Sequence, residues 1–121
     1  MNNIDFVADT NFLLYVLEGR PEVSHFLRYR CAVSTLSEIE LLGWHKIKSE
    51  EKLRIQALLD NCLIVDLNSS IKQKAITLRT QCKLKTVDSI IAATALELDL
   101  PLVTADKQMA KVEQVQLLLI D

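Results

Sequence analysis

Short apolar runs alternate with helical patterns along nearly the whole chain. At four junctions an acid stands where the run gives way to a helix start or its first turns: Asp9, Glu40, Asp88 and Asp106. Few architectures accommodate that alternation. Strand–helix–strand units connect by right-handed crossovers and build a parallel sheet covered by helices. In such a sheet the strand ends that lead into helices lie along one edge, and that edge is where sites form. Carboxylates far apart in sequence therefore have a route into one cleft.

Ile4 to Ala8 reads as the first strand. Asp9-Thr10-Asn11 supplies helix-start chemistry for a helix over Phe12 to Leu17, which Gly19-Arg20-Pro21 ends. A helical stretch over Glu22 to Tyr29 precedes a second strand, Cys31 to Val33. Ser34, Thr35 and Ser37 compete to cap a helix running through Ile47, and Ser49-Glu50-Glu51 opens another. Leu63 to Leu67 is a third strand. Asn68-Ser69-Ser70 then caps a helix whose apolar stripe is Ile71, Ala75, Leu78 and Cys82. The next helix, Asp88 to Leu98, is apolar almost all round and suits burial against the sheet. Leu102 to Thr104 and Val115 to Ile120 complete the strands, with a short helix from Asp106 between them. The expected fold is α/β, a three-layer αβα arrangement with a parallel sheet of about five strands. Residues 1–121 read as a single domain without repeat, low-complexity tract or linker.

Composition removes several classes of function. Glycine occurs only at Gly19 and Gly43, so neither a phosphate-binding P-loop nor a dinucleotide fingerprint can be written on this chain. The net charge is −2, so contact with nucleic acid must rest on local basic patches or metal ions rather than bulk charge. Cys31, Cys62 and Cys82 share no CxxC spacing, which fits reduced thiols and a cytoplasmic location. No segment approaches the roughly 18 uninterrupted apolar residues of a membrane span.

Each acid also has a local explanation. Asp is a preferred N-cap, and acids in a first helical turn complement the macrodipole. Glu40 has a capping-box partner in Ser37, as Glu38 has in Thr35. Asp9 is the exception, because Thr10 and Asn11 already provide caps and an extra acid there is redundant. A cluster of carboxylates raises its own pKa values unless cations neutralise it, and hard divalent ions such as Mg²⁺ or Mn²⁺ are the natural partners. The joint placement points to a metal-dependent site that cleaves phosphodiesters.

These residues resemble the PIN-domain family. Val7-Ala8-Asp9-Thr10-Asn11 looks like its opening motif, and Ser34 through Gly43 resembles its second. Asp88 through Ala95 matches the third, and Leu102 through Asp106 the fourth. The resemblance runs from Phe6 to about Val112 and is nearest to the small prokaryotic proteins that include VapC-type toxins. It implies a ribonuclease in which Asp9, Glu40, Asp88 and Asp106 are the catalytic, metal-binding acids for one or two Mg²⁺ or Mn²⁺ ions. It implies supporting roles for Asn11, beside the first acid, and Thr104, beside the last. It favours Glu40 over Glu38, because the family acid directly precedes an apolar pair, here Leu41-Leu42. It further implies a product with a 5′-phosphate and a 3′-hydroxyl, a homodimer, and a small antitoxin that silences the site. Two positions depart from the family pattern: Val87 stands where a proline is usual, and Met109 where an aromatic is common.

Lys72, Lys74, Arg79, Lys83 and Lys85 lie in one stretch without an acid among them. Read functionally, Lys72, Arg79, Lys83 and Lys85 form a rim for RNA phosphates; read plainly, they form a solvated helix face. The mean hydropathy of +0.18 leaves room for an apolar docking surface, with Phe12, Leu13, Tyr15, Val16, Leu42 and Trp44 as candidates. Two other function classes remain open. One is an inactive PIN-like scaffold that binds RNA or protein. The other is a phosphoryl-transfer α/β domain with Asp9 as nucleophile, although the haloacid-type motif needs an Asp where Asn11 stands.

Overall fold

The computed structural model describes residues 3 to 120. Five strands form one parallel sheet: β1 (Phe6–Ala8), β2 (Cys31–Ser34), β3 (Leu63–Val65), β4 (Leu102–Thr104) and β5 (Leu117–Leu119). Their spatial order is β3-β2-β1-β4-β5. The helices are α1 (Thr10–Leu17), α2 (Thr35–Leu42), α3 (Ser49–Leu59), α4 (Ser69–Cys82) and α5 (Thr86–Leu98), with 3₁₀ segments at Pro21–Phe26 and Lys107–Lys111.

Alternation along the central strands sorts the core into two layers, one on each sheet face. Val7, Ala32 and Leu102 face a cluster that includes Ile71, Ala75 and Leu78 of α4 and Ile91 and Ala92 of α5. Phe6, Ala8, Val33 and Val103 face the other, which includes Phe12 and Leu13 of α1, Leu41 of α2, and Ile55 and Leu59 of α3. The rings of Phe6, Phe12 and Phe26 meet edge to face at 5.4–5.7 Å. The three-layer expectation is met. So is the burial of α5, in which every residue from Ser89 to Ala95 is buried.

Several boundaries differ from the sequence reading, each for a local reason. The helix expected to run through Ile47 stops at Leu42, with Gly43 as its C-cap. A Cβ at position 43 would meet the Ile39 carbonyl oxygen at 2.5 Å, so only glycine permits this tight ending. Ser34 wins the capping competition, accepting from the Leu36 N–H at 3.1 Å. The expected helix Glu22 to Tyr29 is a 3₁₀ segment from Pro21 to Phe26. The helix expected to open at Asp88 begins two residues earlier, at Thr86, so Asp88 lies inside the first turn rather than at the cap. Strands one, three and five are shorter than their expected runs: Ile4 and Val115 pack on the core outside the ladder, and Leu67 is exposed.

Candidate active site

The strand order changes direction at β1: the chain proceeds outward through β2 and β3, then returns to the other side of β1 as β4 and β5. A crevice opens at such a switch point, beyond the carboxyl ends of the strands. Asp9 directly follows β1 and Asp106 stands two residues past β4, after Ala105, so both acids stand at the switch. The first turn of α5 brings Asp88 to the same place, and α2 contributes Glu40 from the next strand over.

Asp9 is 4% exposed and held on both oxygens. Its Oδ1 accepts from the Thr10 N–H at 2.7 Å, and its Oδ2 accepts from the Thr104 hydroxyl at 2.7 Å. The same Thr104 Oγ1 accepts from the Asp106 N–H at 3.0 Å, which ties the loop after β4 to the carboxylate after β1. Asn11 completes the brace: its Oδ1 accepts from the Ala105 N–H at 2.9 Å, and its Nδ2 donates to Thr104 Oγ1 at 3.3 Å. Asp106 caps the following 3₁₀ segment, with Oδ1 accepting from the Gln108 N–H at 2.9 Å. Capping and site placement are thus compatible in one residue.

Burial pushes the Asp9 carboxyl above its ordinary range; hydrogen bonds from Thr104 and Thr10 oppose this, and the charges of Asp88 and Asp106 add to the rise. Asp88 is raised chiefly by burial, then by Asp106 and Glu40, while Lys85 pulls it down. Asp9 and Asp88 therefore feel the neighbouring acids, as like charges in a shared site do. The acids are not drawn tight: among the described residues, no three His, Cys, Asp or Glu side chains form a ready cation cage. The donors are nonetheless all carboxylate oxygens, the chemistry that suits Mg²⁺ or Mn²⁺.

Glu40 is exposed and turned toward α1, where its Oε1 accepts from the Thr10 hydroxyl at 2.7 Å. Thr10 Oγ1 also lies 2.8 Å from the hydroxyl of Ser37, which is fully buried. Glu38 instead receives the Thr35 hydroxyl on its own helix at 3.4 Å, and it does not reach the other acids. Thr10 and Ser37 are residues that sequence reasoning took only as caps. Their signal was spacing: Thr10 adjoins Asp9, and Ser37 sits one turn before Glu40 on the same face of α2.

The basic stretch falls on α4 and the turn into α5. Arg79 donates to the Thr86 hydroxyl at the start of α5, Lys83 ends α4 in the left-handed region, and Lys85 is the N-cap of α5, three residues before Asp88. Lys72 is exposed on the same helix, whereas Lys74 is engaged with Glu97 at 2.8 Å. His25 and His45 are both exposed and stand outside all four motifs.

Beside the acids lies a groove of about 540 Å³, lined by Leu14 and Leu17 of α1, Trp44 and Ile47 after α2, and Ile55 of α3. Thr10 and Glu40 form its boundary with the acidic cleft. Phe12 and Leu13, expected as docking candidates, are buried in the core instead, because α1 turns that face to the sheet and leaves Leu14 outward.

Comparison with known proteins agrees with this geometry. No curated protein matches the chain in sequence. The structure is similar to a toxin–antitoxin complex from Klebsiella pneumoniae, with 30% identity over 92% of this chain and 95% of that one and a TM-score of 0.81. It also resembles VapBC-1 from nontypeable Haemophilus influenzae, at 21% identity and TM-score 0.82 over 96% of this chain and 98% of that one. VapBC2 from Rickettsia felis, bound to a promoter DNA fragment, shares the fold at 19% identity and TM-score 0.82, covering 98% of this chain and all of that one. The family model for the PIN domain matches residues 6–115, nearly the whole sequence and all four acidic motifs, and the chain belongs to the PIN-domain family.

Proposed function

We propose that this chain is a Mg²⁺- or Mn²⁺-dependent endoribonuclease, the toxin of a toxin–antitoxin pair, acting as a single domain in the cytoplasm. The observation that carries the reading is the convergence of Asp9, Asp88 and Asp106 at the switch point, where Asp106 raises the ionisation cost of both Asp9 and Asp88, and Asp88 adds to that of Asp9. A bound divalent ion supplies acidification of water and neutralisation of phosphate charge at such a site. Asp9, Glu40, Asp88 and Asp106 would hold it. Thr104, Thr10 and Asn11 fix the direction of Asp9, so that this acid is preorganised before any ion arrives. Among the described residues, exposed Glu40 is held only by the Thr10 hydroxyl, a bond that metal coordination would replace. The test is direct: the purified chain should cleave single-stranded RNA with either ion and lose that activity on chelation. No cleavage with either ion would reject the reading.

Lys72, Arg79, Lys83 and Lys85 provide a cationic approach beside Asp88, which supports RNA as the substrate. Each phosphate contact to a single strand contributes about 0.7 to the salt slope of log K. Arg79→Ala with Lys83→Ala should lower that slope by roughly 1.4 and leave cation affinity unchanged. An unaltered slope would return this helix to an ordinary solvated face.

The apolar groove next to Glu40 is the surface on which we place the antitoxin; the similar toxin–antitoxin complex supports an antitoxin partner, and the groove's position beside the acids supports the placement. A segment lying there with a basic side chain at its end would pair with the acids beyond Thr10. Trp44, half exposed, is the central contact. Trp44→Ala should weaken binding of the antitoxin by about tenfold or more, while RNA cleavage persists. Equal binding by wild type and variant would move the partner elsewhere. A homodimer is the expected assembly, and light scattering that returns a strict monomer would dismiss it.

A further inference from the structure

Cys31 and Cys62 stand side by side at the start of two neighbouring strands. The β2–β3 ladder pairs Ala32 with Leu63, so the two cysteines occupy the preceding positions of the same register. Their Sγ atoms are 3.6 Å apart. Cys31 is buried and Cys62 half-buried, so Cys62 is the more accessible of the two. We propose that this pair is an oxidation site: a low-molecular-weight disulfide converts Cys31 and Cys62 into an intramolecular disulfide that staples the edge strand β3 to β2.

The chemistry balances within the pair and its oxidant. The Cys62 thiolate attacks one sulfur of the small disulfide, forming a mixed disulfide and expelling one thiolate. Cys31 then loses its proton and attacks the Cys62 sulfur, expelling the second thiolate. Two protein thiols are oxidised, one small disulfide is reduced to two thiols, and the two protons end on the expelled sulfurs. The order follows from access and from the hydrogen bonds: Cys31 supports the Cys62 sulfur, lowering its pKa, while the Cys31 thiol is pushed up by that bond and by burial. Cys62 also donates to the Leu58 carbonyl at 3.3 Å, a contact its side chain gives up as the sulfurs close to about 2.0 Å.

The location gives the bond its effect. β3 is a three-residue strand at the sheet edge, with every residue only half-buried. The loop that the disulfide closes carries α2 and α3, and with them Ser37, Glu40 and one wall of the apolar groove. Closing a loop of about thirty residues restricts the unfolded chain and raises the melting temperature.

Oxidised glutathione added to the full chain tests this without reference to nuclease activity. The expected product is about 2 Da lighter, with Cys31 and Cys62 peptides linked, Cys82 still open to alkylation, and a melting temperature about 10 °C higher that reductant reverses. Cys62→Ser should abolish both the mass change and the shift, whereas Cys82→Ser should keep both. A product in which Cys62 retains glutathione beside an alkylatable Cys31 would overturn the proposal, as would a linked product with an unchanged melting temperature.

Discussion

Asp88→Asn should reduce metal-dependent cleavage of single-stranded RNA by about a hundredfold or more, and at the same time make the metal-free protein more stable. The two effects have one origin. Asp88 accepts no hydrogen bond from any side chain among the described contacts, and its carboxyl is raised by burial, by Asp106 and by Glu40. Folding therefore brings a charge into a place that resists it. Because the folded pKa lies above the unfolded one, stability is fully present below the ordinary value of 3.8 and is lost as pH rises through the folded pKa. Asparagine removes that loss. Solvent screening keeps the gain small at neutral pH, and it should vanish in acid. Glu40→Gln should impair cleavage strongly and Glu38→Gln only mildly, since Glu38 is engaged with Thr35 on its own helix. Normal cleavage by Asp88→Asn would show that the acids were wrongly assigned, and the reverse order of the two glutamates would exchange their roles.

What could be read from the sequence follows a physical division. Alternation of short apolar runs with helix signals determines a parallel sheet almost by itself, because crossovers have one hand and helices must cover both faces. The position of Asp9 was equally legible, since a carboxylate directly after a fully apolar strand has no core role. Helix ends were less so. α2 stops five residues short of its expected end through the close approach at Gly43, a contact that periodicity does not encode. Which face of α1 meets the sheet was not legible either. Phe12 to Leu17 is an apolar run of six in which some residues must face the sheet, and only the orientation of α1 reveals that Phe12 and Leu13 do so while Leu14 points outward. Thr10 and Ser37 escaped notice because hydroxyls near helix starts have so common a local use that a bridge across helices leaves no separate mark.

The Thr104 hydroxyl links more of the site than any of the acids does, and Thr104→Val should have the largest effect on folding. Valine fills the same space, so packing in β4 is preserved while one oxygen disappears. That oxygen donates to Asp9 Oδ2 at 2.7 Å and accepts from the Asp106 N–H at 3.0 Å and from Asn11 Nδ2 at 3.3 Å. Thr104 is 0% exposed and Asp9 is 4% exposed, so water cannot easily replace what is lost. Leaving a buried carboxylate oxygen and a backbone N–H without partners costs about 2–3 kcal/mol, a fall in Tm of roughly 10 °C. The deficit has a pH signature. Burial already holds the Asp9 carboxyl above its ordinary value of 3.8, and the Thr104 bond opposes that rise. Without the bond the folded pKa climbs further, so the variant loses stability over a window that begins near the unfolded value and extends to higher pH than in the wild type. Melting curves of the metal-free protein should therefore separate most at neutral pH and converge toward acid. Thr104→Ser, which restores the oxygen, should recover most of the stability and most of the RNA cleavage. A valine variant as stable as wild type at pH 7 would mean that Asp9 is not held by this hydroxyl, and the preorganised acid would lose its structural basis.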